Sequence, residues 1–454
     1  MKNIFSLLLG FILFTQTILA QDATTPPPPP TNDSLNKSIL GLKKDIDLMK
    51  NLKIGGWVQA QYQYADTNGA KNFDGGDFPS NSNNRFMIRR GRIKFTYTGK
   101  NSQYVFQLNA TERGVNIADI YAKAIDPWSH AFSITVGAQN RPFGYEIQQS
   151  SADRESPERS RWLQNFLPNE RDIGAMASFQ PQKGKALYGL KIDAGFFNGT
   201  GIAVPGTGTP AGSTAAVGTT GVNGFTDFDY IKDFMCHLAY YSTSKNGKIK
   251  YGIGASHYNG GFLYQNNKVY NSIATDTAGN KVWVIADTVN KNYKNTKAPR
   301  IYYGVEALLS VTSVIGTTTI RGEYFTGTQT ARDVDTRSPQ AQPLATDAMF
   351  VRNFSGGYAY FIQRLGKSKH EVVFKYEWLD PNTKVSASDL NGKNGMKQGE
   401  IKYTMMGFGY NFYWTDNVKF MFYYNVVTNE VAQIKGYTYD LKDNIFTARI
   451  QYRF

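Results

Sequence analysis

The sequence predicts an all-β fold, namely a transmembrane antiparallel up-and-down β-barrel of about sixteen strands with a short N-terminal periplasmic helix. Three observations lead to this prediction. From about residue 54 to the end of the chain, apolar and polar residues alternate with a period of two. Tight turns alternate with much longer connections. The last predicted strand ends in the C-terminal residue Phe454.

Composition and charge exclude several other classes of protein. The 454 residues include one cysteine and four histidines, so the sequence predicts neither a disulfide framework nor a structural zinc site. No metal and no cofactor are expected. A mean hydropathy of −0.42 argues against a bundle of transmembrane helices. The formal net charge is +14. Because basic residues alternate with aromatic ones along the strands, we expect this charge to attract anions and anionic lipid, and we expect no nucleic-acid partner.

Residues 1–20 have the features of a secretory signal peptide. Lys2 gives a positive start, residues 5–14 are apolar, and cleavage is predicted after Ala20. The position three residues before the cut is Ile18, which is not small, so the exact cleavage site stays open. A retained membrane anchor is the alternative.

Residues 21–53 are predicted to form a periplasmic spacer and a short helix. Pro26–Pro30 is an uninterrupted proline run, which favours a stiff polyproline II spacer. The apolar residues that follow are spaced alternately by four and three positions, as Leu35, Ile39, Leu42, Ile46 and Met49. Because this seam is only about two heptads long, two interpretations stay open. The helix forms a small coiled coil supported by an oligomer formed elsewhere in the chain, or it lies against its own domain.

Residues 54–454 are predicted to form the barrel. Between Glu371 and Trp378, aromatic and aliphatic side chains occupy one face, while Glu371, Lys375 and Glu377 lie on the other. Residues 418–425 repeat this alternation. A β-sandwich core does not tolerate such charged faces, whereas an outer-membrane barrel has lipid on one face of each strand and water on the other.

The lengths of the connections distinguish a barrel from a sandwich. Seven short turns are predicted near residues 99–101, 126–130, 181–185, 243–248, 312–316, 365–369 and 414–417. Eight further connections, all but one of them much longer, are predicted at about 66–85, 112–115, 141–171, 198–229, 259–300, 328–350, 380–400 and 428–439. Fifteen connections join sixteen strands, enough to enclose an aqueous channel. The segment 259–300 is long enough to hold an extra hairpin, so fourteen and eighteen strands remain alternatives.

The C-terminal segment is the strongest single local feature. Ile450, Tyr452 and Phe454 alternate with polar residues and fall on the lipid-facing register. An amphipathic last strand that ends in an aromatic residue is the predicted assembly signal for the barrel assembly machinery of the outer membrane. An ordinary edge strand of a β domain is the alternative.

Four segments resemble the phosphate-selective porin O and P family. They are residues 86–100 (FMIRRGRIKFTYTGK), residues 136–146 (VGAQNRPFGYE), the pair Ser150-Ser151 and residues 170–174 (ERDIG). The resemblance is densest from Ile54 to about Phe179. It implies a sixteen-stranded, trimeric outer-membrane porin that passes anions, which are phosphate or polyphosphate in characterised members. Members of this family need not share one solute.

A cationic ladder is predicted on the second strand. The register that sends Ile93, Phe95 and Tyr97 to lipid sends Arg90, Arg92 and Lys94 into the lumen. Same-face residues are about 6.7 Å apart, so the three cations span roughly 13 Å. An anion could pass from one to the next without losing all its ligands. The alternative is that these cations face water or pair with opposing carboxylates.

Further cations are candidates for the ion pathway. Arg321, Lys375 and Lys419 fall on the polar registers of their strands. The connection between residues 141 and 171, a candidate constriction loop, contributes Arg141, Arg159, Arg161 and Arg171. With Arg154 this loop has five cations, and it also has five acidic residues, Glu146, Asp153, Glu155, Glu158 and Glu170. We therefore expect the loop to narrow the pore without being a net anion trap.

The predicted function is that of a passive, anion-preferring outer-membrane porin that passes phosphate or other small anions. Its predicted partners are outer-membrane lipid, small anions, the barrel assembly machinery and two further copies in a homotrimer. The expected location is the outer membrane of a Gram-negative-type bacterium, with both termini periplasmic. The alternatives are a general porin, a surface adhesin or structural barrel, and a barrel phospholipase or protease. His130, His237, His257 and His370 lie in no recognisable nucleophile motif, so we do not expect an enzyme.

Overall fold

The computed structural model describes residues 32–201, 227–340, 342–392 and 396–454. The predicted signal peptide and proline run lie outside these residues. Contacts divide the chain into two units, residues 1–51 and residues 52–454.

The described part of the first unit is the helix α1 (Asn32–Lys50). This confirms the predicted N-terminal helix. The predicted seam residues are all exposed: Leu35, Ile39, Leu42, Ile46 and Met49. Whether they form a coiled coil remains a prediction. No helix in the described ranges has both the length and the apolar character needed to cross a bilayer.

The second unit contains a closed antiparallel barrel. Its first nine strands follow one another around the wall, each paired with the next. They are β1 (Leu52–Ala65), β2 (Asn84–Thr98), β3 (Ser102–Thr111), β4 (Gly114–Ile125), β5 (Phe132–Asn140), β6 (Arg171–Phe179), β7 (Leu190–Phe197), β8 (Asp233–Thr243) and β9 (Ile249–Leu263). All seven predicted turns and all eight predicted longer connections fall between wall strands.

The remaining wall strands complete the predicted number of sixteen. A hairpin, β10 (Val269–Thr275) and β11 (Lys281–Ile285), lies in the connection that follows β9. The other seven wall strands are β12 (Lys297–Ser313), β13 (Gly316–Ala331), β14 (Met349–Leu365), β15 (His370–Asp380), β16 (Tyr403–Tyr413), β17 (Val418–Asn429) and β18 (Ile445–Arg453). Because β9 pairs directly with β12, the hairpin adds no strand to the wall. It is the extra hairpin that the length of this connection allowed.

The barrel closes where β18 pairs with β1, from Trp57 opposite Arg453 to Ala65 opposite Ile445. Beyond the last strand, the backbone of Phe454 exchanges two hydrogen bonds with Gly56, of 3.0 and 3.1 Å. A Cβ atom at Gly56 would meet the ring of Phe454 at 2.8 Å and a backbone oxygen of β2 at 2.1 Å. A glycine is therefore required where the C-terminal residue packs on the first strand.

Alternation along the strands separates the lipid face from the lumen face. In β15, Val372, Phe374 and Tyr376 are exposed on the outside, whereas Lys375 and Glu377 are buried inside the barrel. This is the arrangement expected when lipid contacts one face of each strand and polar groups line the other.

The connection between β5 and β6, residues 141–170, lies inside the barrel and is called the inward loop here. It contains two short helices, α2 (Gly144–Gln148) and α3 (Arg161–Phe166). Trp162 and Phe166 are fully buried against β13 and β14. The ring centroids of Trp162 and Phe325 are 3.7 Å apart, and those of Phe166 and Phe354 are 4.1 Å apart. This apolar cluster fixes the loop to one side of the wall.

Candidate functional site

Through its backbone oxygens, the middle of the inward loop is tied to a second part of the wall, formed by β17, β18 and β1. Three side chains from β1, β17 and β18 donate to these oxygens. These bonds are Gln59 Nε2 to Ser151 O at 2.9 Å, Lys419 Nζ to Arg154 O at 2.9 Å and Arg449 Nη1 to Pro157 O at 2.8 Å. The loop therefore crosses the lumen and divides it, as a constriction loop does.

The acidic side chains of the inward loop pair with cations of the wall strands. Glu155 pairs with Arg321 at 2.5 Å, and Glu146 lies 3.7 Å from Lys375. Glu158 binds arginines of β2 and β18. The loop acids are thus largely neutralised by the wall. The loop contains five cations and five acidic residues, but several of these acids pair with the wall. Fewer acids are therefore left to pair with the loop arginines.

A cavity of about 1290 Å³ remains beside β2, β3 and β4. Nine cationic residues line it: Lys71, Arg89, Arg90, Arg92, Arg113, Arg161, Arg171, Arg337 and Lys442. Five acidic residues line it: Asp77, Glu112, Glu170, Asp335 and Asp443. The lining has a formal excess of positive charge. A cleft lined by an excess of one sign concentrates ions of the opposite sign.

Two β-bulges shape the wall of this cavity. In the β1–β2 pair, Gln59 lies opposite Arg90 and Ala60 lies opposite Ile88, so Arg89 is an extra residue. In the β3–β4 pair, Ala118 is extra in the same way. Bulges of this kind re-aim side chains and are frequent next to functional sites. The first bulge turns both Arg89 and Arg90 toward the lumen, where strict alternation would send one of them to lipid.

Four arginines from the middle of β2 and the start of β6 line the inner end of the cavity, and we call them the arginine floor: Arg89, Arg90, Arg92 and Arg171. They differ in how far their charge is compensated. Arg89 and Arg90 share the carboxylate of Glu158, with closest distances of 2.8 and 2.6 Å.

Arg171 and Arg92 are the contrasting members of the arginine floor. Arg171 pairs with Asp119 at 2.6 Å and with Glu170 at 2.9 Å. For Arg92 the described residues supply no ion pair, and its guanidinium lies 5.5 Å from the ring of Trp57. Arg92 is therefore the floor cation with the least compensated charge.

Above the floor, Arg161 of the inward loop lies between two aromatic rings. Its guanidinium is 4.5 Å from the ring centroid of Phe73 and 3.3 Å from that of Tyr403. Phe73 belongs to the connection after β1, so this contact joins that connection to the inward loop. Stacking on aromatic faces holds the cation without neutralising it.

Residues 58–239 match the model of the family described as phosphate-selective porin O and P. The predicted family resemblance is confirmed. The matched segment includes the bulge in β2, the inward loop and the whole arginine floor. None of the curated proteins matches the chain.

Solved structures share the barrel fold at low sequence identity. A Salmonella typhi OmpF complex with daunomycin is 12% identical, with a TM-score of 0.50, over 89% of this chain and 97% of that chain. The outer membrane channel DcaP of Acinetobacter baumannii is 10% identical, with a TM-score of 0.49, over 89% and 97%. An anion-selective porin from Comamonas acidovorans is 10% identical, with a TM-score of 0.47, over 89% and 99%. At such identities the likeness shows the fold alone.

The family match over residues 58–239 and the barrel fold support an integral outer-membrane barrel of the porin type, and they favour a channel over an enzyme. Within the described residues, no group of three or more His, Cys, Asp or Glu side chains is arranged to hold a metal ion. His237 contacts Glu306 at 3.1 Å inside the barrel.

The porin brings some of the predicted pathway residues together at the cavity. Arg90, Arg92, Arg161 and Arg171 line it. Lys94 is the next lumen-facing residue of β2 after Arg92, but it does not line the cavity.

The other predicted pathway residues hold the inward loop in place. Arg141 donates to Pro168 O at 2.7 Å, and Arg159 pairs with Glu170 and donates to three backbone oxygens of the loop. From the wall, Arg321 pairs with Glu155, Lys375 with Glu377 at 2.9 Å, and Lys419 donates to the loop backbone. Their direct contact with a permeating ion remains a prediction.

Three residues of the site, Arg89, Arg154 and Glu158, were not predicted as site residues from the sequence. The site role of Arg89 was not predicted because the bulge breaks the alternation. The sequence does show that the lipid-facing residues change from even-numbered to odd-numbered positions along β2. Phe86 and Ile88 face lipid on one side of the bulge, and Ile93 and Phe95 on the other. The central place of Glu158 and Arg154 depends on contacts between distant segments, for which the sequence carries no local signal.

The carboxyl group of Asp443 makes the cavity charge depend on pH. Burial raises the pKa of Asp443 to about 7, Arg161 opposes this shift, and Asp440 and Asp66 add to it. We expect the cavity to lose one negative charge as the pH falls from about 8 to about 6, so the ion preference should shift toward anions.

The zero-current potential in a chloride gradient, recorded at both pH values, measures this change. The variant Asp443→Asn is the control, since it should show at the higher pH the preference that the unmodified porin shows at the lower one. Equal potentials at the two pH values in the unmodified porin would contradict the assignment.

Proposed function

We propose that this porin is a passive, anion-preferring channel whose selectivity is electrostatic. The observation that carries the proposal is the cavity lining, with nine cationic and five acidic residues. The excess is concentrated at the arginine floor, where Arg92 has no ion pair within the described residues. Rings of Arg and Lys serve the same purpose in other anion pores.

Phosphate is the candidate solute because of the chemistry of the floor. Guanidinium groups present N–H donors in a planar fork that matches the oxygens of phosphate. Arg161, the floor and then Lys94 would give a permeating anion a sequence of cationic contacts along the lumen. Several weak sites in series allow an anion to enter and also to leave, which conduction requires. The driving force is the concentration gradient, and no cofactor takes part.

We propose that the barrel assembles as a homotrimer in the outer membrane, with both termini on the periplasmic side. Residues 1–20 would then serve as the export signal. Ile450, Tyr452 and Phe454, all exposed on the outside of the last strand, would form the signal for the barrel assembly machinery. The mobility of unheated, detergent-extracted protein on a gel measures the oligomeric state, and a monomer would contradict the trimer.

Ion substitution tests the proposed function. In a planar bilayer, replacing chloride by the bulky anion gluconate should lower the conductance strongly, because anions carry most of the current. Replacing potassium by a bulky organic cation should change it little. The opposite pattern would show that cations carry the current, and equal effects would indicate a general porin.

A further inference from the structure

The carboxylate of Glu158 occupies a pocket built from three guanidinium groups. Its Oε1 accepts from Arg89 Nε at 2.8 Å, Arg90 Nη1 at 3.1 Å and Arg449 Nη2 at 3.0 Å. Its Oε2 accepts from Arg89 Nη2 at 2.9 Å and Arg90 Nη2 at 2.6 Å. Burial alone would raise the pKa of Glu158, but the three arginines hold it well below its ordinary range. The pocket thus holds a permanent, covalently tethered anion.

This pocket has more positive charge than Glu158 can neutralise. Three arginines surround one carboxylate, and Arg154 lies within electrostatic range of Arg90 and Arg449. Arg154 is 1% exposed, and in the described part of the chain none of its three side-chain nitrogens has a hydrogen-bond partner. Glu170 lies within electrostatic range of Arg154, but no carboxylate pairs with it directly among the described residues. A buried cation without a direct partner is costly, so this region has unused capacity for an anion.

The pocket is also accessible from the cavity. The Arg89 side chain is 26% exposed, and Arg89 and Arg90 both line the cavity. An anion on the arginine floor would therefore contact two of the guanidinium groups that now bind Glu158. The two anions would compete for the same N–H donors.

We propose that the pocket formed by Arg89, Arg90 and Arg449, with Arg154 within electrostatic range, is a binding site for a tetrahedral oxyanion, phosphate or sulfate, in which Glu158 is a tethered competitor. This inference rests on the proposed anion preference, and it adds a residue, Glu158, that sets the affinity for the oxyanion. By occupying the donors, Glu158 keeps oxyanion binding weak enough for release. Removing its charge should turn a weak site into a strong one.

The variant Glu158→Gln tests the proposal, because it removes the charge with little change in size. With the folded barrel in detergent, the unfolding temperature is followed during titration with phosphate and, separately, with sulfate at constant ionic strength. The half-maximal oxyanion concentration should be about ten-fold lower than for the unmodified porin, the effect of one additional charge-assisted hydrogen bond.

The matched control is Glu155→Gln, the same substitution in the same loop. Glu155 pairs with Arg321 and does not line the cavity. Its removal should leave the oxyanion dependence of the unfolding temperature close to that of the unmodified porin. An equal shift in both variants would show a general response to lost negative charge and would overturn the proposal. A response to sulfate but not to phosphate would restrict the site to sulfate.

A second variant keeps the test decisive if Glu158→Gln does not fold. Glu158→Asp retains the charge but shortens the side chain, so the carboxylate reaches fewer of the three arginines. Phosphate should then reduce the chloride current at lower concentrations than in the unmodified porin, and unchanged block would overturn the proposal. If the unmodified porin shows no anion preference, the proposed function itself fails. If it shows that preference and the Glu158 variants bind oxyanions no more tightly, only this inference fails.

Discussion

Replacement of Trp162 by alanine is expected to raise the single-channel conductance and to weaken the charge selectivity of the porin. Trp162 is 1% exposed and stacks on Phe325, so its removal leaves a large void between the inward loop and the wall. Substitutions of this kind cost about 3–5 kcal/mol of folding free energy. Because the affected contact joins the loop to β13, we expect the loop to move and the lumen to widen.

Conductance in a planar bilayer and the denaturant midpoint of the folded barrel measure the two effects of this substitution. The control is Trp128→Ala, which removes the same side chain from a turn where it is 88% exposed. That variant should retain the conductance of the unmodified porin. If Trp162→Ala has the same conductance as this control, the inward loop does not set the width of the pore.

Reversal of charge at the arginine floor is expected to reverse the ion preference. In the double variant Arg89→Glu, Arg92→Glu, the four arginines and Glu170 at the inner end of the cavity become two arginines and three glutamates. The sign of the local charge therefore changes where the lining is narrowed by the inward loop. Both replaced side chains are in the lumen. Arg89 contacts the inward loop through the carboxylate of Glu158, which Arg90 and Arg449 still bind in the double variant.

The matched control for this double variant is Arg113→Glu, a charge reversal in the same cavity at a side chain that is 47% exposed. Water and salt screen an exposed charge, so this variant should keep its anion preference. The zero-current potential should change sign in the double variant alone. A double variant that still prefers anions would show that selectivity is set elsewhere in the lumen.

The wall of the barrel could be predicted from the sequence because lipid and water impose a period of two on each strand. Phe374 and Lys375 show this rule, since adjacent residues face opposite environments. The number of strands could be predicted from the lengths of the connections, because tight turns and long loops alternate around the wall. The extra hairpin β10–β11 could be suspected from length alone. Its place outside the wall depends on the pairing of β9 with β12.

The candidate site could be predicted only in part, because its charges are set by contacts between distant segments. Glu158 lies 68 positions from Arg90 and 291 from Arg449. The inward loop has equal numbers of positive and negative residues, but its acidic residues Glu155 and Glu158 pair with arginines of the wall. Arg321 and Lys419 were predicted as pathway residues. In the structure both contact the inward loop and hold it in place.

The excess of positive charge in the lumen is expected to make the porin prefer anions. The zero-current potential of the purified protein in a planar bilayer, under a gradient of potassium chloride, tests it most directly. The structure predicts a potential displaced toward the equilibrium potential of chloride. A potential displaced toward that of potassium, or one of zero, would leave the barrel fold intact but contradict the proposed function.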